Sequence, residues 1–148
     1  MKRLRRILFA TDFAPASHRA FAAALTLAKP VHAALTILYV MPPAMPTVPE
    51  QYLDGVTIDR LTTQARRWSE GQLTRLAGVA NRAGVAAKPL FRDGDAAGEI
   101  VRAARRERTD LIVVGTHGRH GLPKLLLGSV AERVVRLAPC PVLTARGK

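Results

Sequence analysis

Three short, almost unbroken apolar runs set the strongest limit on how this chain can fold: Ile7-Leu8-Phe9-Ala10, residues 35–40 and residues 111–114. Each is too short for a core helix, and each is followed closely by polar, glycine or proline residues. Runs of this kind read as strands buried on both faces, the habit of parallel sheets. Weaker candidates at 85–91 and 141–144 bring the expected strands to five.

The segments between them carry helical spacing. Residues 15–29 repeat Phe21, Leu25 and Ala28 on one face, with Pro15 suited to a first turn. Residues 54–83 place Ile58, Leu61, Ala65, Trp68, Leu73, Leu76 and Val79 in an apolar stripe. Residues 96–106 become basic toward their end, where cations favour the helix dipole. Residues 129–137 stop before Pro139 and Pro141. Strand and helix therefore alternate throughout, which calls for one doubly wound α/β domain over residues 1–148, a five-stranded parallel sheet with helices on both faces. Residues 41–49 hold Pro42, Pro43, Pro46 and Pro49 and are expected to form an extended loop.

Composition narrows the partners. Twenty-three Lys and Arg against eleven Asp and Glu give a net charge of +12, which attracts polyanions in general. Aromatics are only 5% of the chain and are dispersed, whereas a nucleic-acid module sets stacking rings beside its basic face. The arginines, including Arg102, Arg105 and Arg106, are accordingly read as a solvated surface. No apolar run approaches the ~20 residues of a membrane span. The basic start followed by four apolar residues falls short of the ~7 to 15 of a signal sequence. Cys140 is the one cysteine, so no internal disulfide forms and a cytoplasmic location is expected.

Ligands of open α/β sheets bind beyond the carboxyl ends of the strands, where strand order reverses. After the fourth run the chain reads Gly115-Thr116-His117-Gly118-Arg119-His120-Gly121-Leu122-Pro123-Lys124-Leu125-Leu126-Leu127-Gly128-Ser129, four glycines in fifteen residues entering a helix. Glycine lets backbone N–H groups face an anion without a Cβ in the way, and the helix start adds free donors. Ser129 suits a phosphate oxygen, with His117 and Arg119 nearby. Equally, Ser129 and Glu132 have the spacing of a capping box that closes the helix start without any ligand. The spacing is neither GxGxxG nor GxxxxGK[ST]. Asp12, directly after the first run, suits either a turn acceptor or a ligand contact.

Gly115, Gly118, Gly128 and Ser129, spaced glycine, two residues, glycine, nine residues, glycine and serine, resemble the nucleotide-binding signature of the universal stress protein family. Ala10-Thr11-Asp12-Phe13, Leu38-Tyr39-Val40 and the run from Gly128 to Leu143 are similar to that family too, so the resemblance spans the chain. It implies ATP, with Mg or Mn, in the cleft between the first and fourth strands. Thr11 and Asp12 would lie at that cleft, Asp12 near the ribose, triphosphate or metal. Val40 would meet adenine through its backbone, and Val114 and Gly115 would line the cleft. Gly118 and Gly128 would cradle phosphates, with Ser129 and Val130 closing the site. Phe13-Ala14-Pro15 departs from the small residues some members carry and would crowd the base or triphosphate. The resemblance also implies a homodimer through the last strand at Val142 and Leu143.

No assembled catalytic set is present: no GxSxG serine, no HExxH, and Cys140 enclosed by two prolines. The expected activity is that of an ATP-binding, nucleotide-responsive stress module with at most slow hydrolysis. The competing classes are a nucleotide-dependent hydrolase or adenylate-transferring enzyme on the same fold, and a ligand-free dimeric interaction protein.

Overall fold

The computed structural model describes residues 3–43, 49–52, 54–116 and 127–147. Among them the order is β1 (Arg6–Thr11), α1 (Pro15–Val31), β2 (Ala34–Met41), a 3-10 turn (Glu50–Tyr52), α2 (Gly55–Arg82), β3 (Ala87–Asp93), α3 (Ala96–Arg106), β4 (Leu111–Gly115), α4 (Ser129–Leu137) and β5 (Val142–Ala145). The strands form one parallel sheet in the order β3-β2-β1-β4-β5. The chain builds outward from β1 through β2 to β3, then crosses back to β4 on the other side of β1. Strand order reverses there, between β1 and β4.

Alternation along the central strands divides the core in two. Ile7, Phe9, Leu35, Ile37 and Val113 pack beneath α1 and α2, against Ala20, Ala24, Ala28, Leu73, Ala77 and Ala80. Leu8, Leu38, Val40, Ile112 and Val114 pack on the opposite face beneath α3 and α4, against Ala97, Ile100, Ala104, Ala131 and Val134. The alanine seam of α1 recurs every four residues, and small side chains there let the helix approach the sheet closely.

The α2 stripe differs from its expectation. None of residues 55–68 is buried, and the buried seam is Ser69, Leu73, Ala77 and Ala80, so Leu61, Trp68 and Val79 stand at least partly in solvent. A helix of 28 residues is about 42 Å long, whereas a strand of seven spans about 23 Å. The first half of α2 therefore overhangs the sheet, and the packing of its second half sets the face.

Asp95 ties α3 to α4. Its Oδ2 accepts the Gly98 N–H at 2.9 Å, capping α3, and its two oxygens accept from the Arg133 guanidinium at 2.9 and 3.0 Å. The Arg133 hydrogen bond first, and the Gly98 N–H next, hold the Asp95 carboxyl below the usual carboxylate range, and Arg133 is correspondingly raised. A carboxyl with a depressed folded-state pKa adds stability that is present above its unfolded pKa and is lost as pH falls through the depressed value. Asp95→Asn, which keeps a capping oxygen, is expected to lose stability relative to the parent by a constant amount above about pH 5, with the gap closing below about pH 4. Urea midpoints across that range read the effect, and a gap independent of pH would refute it.

Candidate functional site

The site is a notch at the carboxyl edge of the sheet. Pairing of β1 with β2 ends at Thr11 and Tyr39, and pairing of β1 with β4 ends at Ala10 and Val114. β2 runs on through Val40 and Met41 beside Arg92 and Asp93, whereas β4 ends at Gly115, beside Ala145 and level with Thr11. The end of β1 is thus stepped back from the longer β2 and level with the end of β4, and this recess lies at the reversal of strand order, the position at which open α/β sheets take ligands. Val40 and Val114 are buried in the core facing α3 and α4, one on each side of this recess.

Asp12 turns the chain out of β1. Its Oδ1 accepts the Ala14 N–H at 2.9 Å and the Ser17 hydroxyl at 2.7 Å, which anchors the start of α1. The turn-acceptor reading of Asp12 is therefore realised. The residue is nevertheless exposed, and its Oδ2 makes no hydrogen bond among the described residues.

Thr11 and Phe13, on either side of Asp12, belong to the other face of the sheet. The Thr11 hydroxyl accepts the Phe13 N–H at 2.9 Å, and Phe13 adopts φ +60°, in the left-handed region. A bulky residue is held there by what its ring meets: Tyr39 at 4.7 Å between centroids, and Trp68 edge-on at 5.3 Å. The Phe13 ring packs on the α1 and α2 side, away from Val40 and Val114.

Gly115 has a structural reason to be glycine. A Cβ there would stand 3.2 Å from the Ala16 carbonyl oxygen and 3.4 Å from the Ser17 nitrogen. The family resemblance implied a cleft role for this glycine, and the close approach of α1 is not legible in its spacing.

The start of α4 differs from the capping box. Gly128 is the N-cap, so Ser129 is the first helical residue, and no side chain caps the helix. Glu132 pairs with Arg136 at 2.8 Å, one turn toward the C-terminus, rather than reaching back. Ser129 and Val130 are exposed, and the Ser129 hydroxyl makes no hydrogen bond among the described residues. The first-turn N–H groups, the dipole end and a free hydroxyl are thus available together. Gly118, His117 and Arg119 lie outside the described residues, as do His120, Pro123 and Lys124. Among the described residues no helix is long and apolar enough to cross a membrane.

The sequence model of the universal stress protein family matches residues 3–146. Universal stress protein YxiE of Bacillus subtilis (strain 168) is 34% identical over 150 residues, covering 95% of this chain and 98% of that protein. Among solved structures, universal stress protein UspA from Lactobacillus plantarum superposes with a TM-score of 0.79 at 29% identity, over 99% of this chain and 100% of that one. A universal stress protein in complex with cAMP shares the fold with a TM-score of 0.71 at 23% identity, over 98% of each chain.

Proposed function

The chain belongs to the universal stress protein family, and from that premise we propose that it is a cytoplasmic, nucleotide-responsive regulatory module that binds ATP with Mg or Mn in the recess above β1. The observation that carries this reading is the coincidence of three features at one sheet edge. They are the recess at the strand-order reversal, an α4 start without a side-chain cap, and an Asp12 oxygen without a partner among the described residues. The Val40 backbone and Val114 wall the base and ribose, and Gly128, Ser129 and Val130 offer donors to the phosphates. Asp12 Oδ2 takes the nucleotide-borne cation, for which a carboxylate oxygen is an apt ligand. With Asp12 assigned to the cation, this reading assigns no general base for water, and hydrolysis is at most slow. The cAMP complex of a fold relative supports an adenine nucleotide as the ligand class.

The protein works as a homodimer through β5. This strand is the sheet edge, its residues are half-buried, and Val135 and Leu137 of the adjoining α4 are exposed, each at 47%. An apolar edge of this kind is closed by an isologous copy across Val142 and Leu143. A monomer mass at every concentration in sedimentation equilibrium would overturn that assembly.

The test of ligand binding is to purify the protein without added nucleotide, denature it and identify released small molecules by mass spectrometry, with thermal shifts against Mg-ATP, Mg-ADP and NAD. Linkage requires stabilisation that rises with ATP, about 2.7 kcal/mol at a hundred times Kd. Absence of both released nucleotide and thermal shift overturns the reading. Asp12→Asn keeps the Oδ1 acceptor that anchors α1 and removes the charge. It is expected to weaken Mg-ATP about tenfold while ATP in EDTA binds as in the parent. Equal loss with and without metal would remove Asp12 from the cation.

A further inference from the structure

On the sheet face away from Val40 and Val114, α1 and α2 leave a cavity of about 100 Å³ whose floor is Phe9 and Thr11 of β1. Phe13 closes one end, turned there by its left-handed backbone, and Phe21 stands 5.4 Å from Phe9. α2 contributes Trp68, Gln72, Arg75 and Leu76, spaced i, i+4, i+7 and i+8 and therefore on one helix face. Four aromatic rings around so small a space suit a planar apolar body.

The polar fringe decides the charge of that body. Arg75 and His18 line the cavity, and no carboxylate does. Every ion pair described within the chain uses another cation, Arg66, Lys88, Arg102, Arg133 or Arg136, whereas Arg75 has no partner among the described residues. The Thr11 hydroxyl on the floor accepts from Phe13 and donates to no described residue. A guanidinium without a counter-charge beside aromatic walls favours an anion carried by a ring.

Size excludes a nucleotide. Sites for larger ligands occupy about 300 to 1,000 Å³, while a cavity of about 150 Å³ holds benzene. A cavity of about 100 Å³ with an open side takes the inner part of one ring edge-in, the outer edge and its substituent left in the mouth. We propose that this cavity is a second ligand site, selective for small aromatic monocarboxylates, with the ring among Phe13, Phe21 and Trp68 and the carboxylate on Arg75. It lies on the sheet face opposite Val40 and Val114, adjoins the recess edge at Thr11 and Ser17, and stands whether or not that recess binds ATP.

Trp68 is the one tryptophan of the chain, so its fluorescence reports this wall without interference. The experiment titrates the full chain with benzoate, benzyl alcohol and acetate at constant ionic strength. Benzoate is expected to change the emission saturably, benzyl alcohol to bind more weakly, and acetate to have no effect. Arg75→Gln, at an exposed position that leaves the fold intact, should weaken benzoate about tenfold and leave benzyl alcohol unchanged. A linear, non-saturating response to benzoate overturns the site. So does equal benzoate affinity in R75Q, or an acetate response matching that of benzoate. A circular dichroism melt of R75Q confirms that the comparison is between folded proteins.

Discussion

Gly115→Val is expected to lower stability by about 3 kcal/mol, a fall in Tm of roughly 10 °C, before any ligand is considered. The added Cβ would lie 3.2 Å from the Ala16 carbonyl oxygen, 3.3 Å from its carbon and 3.4 Å from the Ser17 nitrogen. These are backbone atoms, so no side-chain rotation relieves the contact. The first turn of α1 also cannot withdraw cheaply. Ser17 N–H donates to the Ala14 carbonyl at 2.9 Å, while Asp12 Oδ1 holds both the Ala14 N–H and the Ser17 hydroxyl. On the other side, Gly115 is paired with Ala145 and buttressed by the bond from Thr116 N–H to the Ala145 carbonyl. Relief requires α1 to lift from β4, exposing part of the Ala20, Ala24 and Ala28 seam. Urea and thermal unfolding measure the loss, and parental stability would show that α1 yields at small cost.

This contact marks a limit on what sequence spacing reveals. Apolar runs located the strands because burial on both faces leaves an unmistakable composition, and the bounds of α3 and α4 coincide with those expected. β3 begins two residues later than its apolar run. Val85 belongs to the exit from α2, where its N–H donates to the Ala80 carbonyl and its side chain is buried. The exposed half of α2 carries the same apolar spacing as the packed half, since periodicity records amphipathicity and not the length of the sheet beneath it. At α4 the spacing of Ser129 and Glu132 allowed a capping box, and an i, i+4 pairing with Arg136 competed for the same carboxylate and prevailed. Phe13 shows the limit most plainly. Its place in the chain is legible, but the side to which its ring turns depends on Tyr39 and Trp68, 26 and 55 residues away. The step at the end of β1 follows from β2 running two residues past it, a property of pairing register that no single segment encodes.

Gly118→Val is expected to have the opposite signature, weakening Mg-ATP at least a hundredfold with the ligand-free Tm unchanged. The argument rests on sequence, because Gly118 lies outside the described residues. Gly118 falls within the glycine-rich stretch between β4 and α4, which the signature assigns to the phosphates. A valine side chain puts three extra carbons where phosphate oxygens would meet backbone N–H groups. Losing two charge-assisted hydrogen bonds at about 1.5 kcal/mol each removes about 3 kcal/mol, roughly a hundredfold in affinity. Calorimetric titration and a melt of the same preparation separate the two quantities. The pair of valine substitutions, three residues apart, therefore divides the glycine signature by role. Loss of fold at 115 with loss of binding at 118 means that β4 packing and phosphate contact are carried by different glycines. Parental affinity in Gly118→Val would move the phosphates off this cradle, and the free donors at Gly128 and Ser129 would then be the remaining anion contact of the recess.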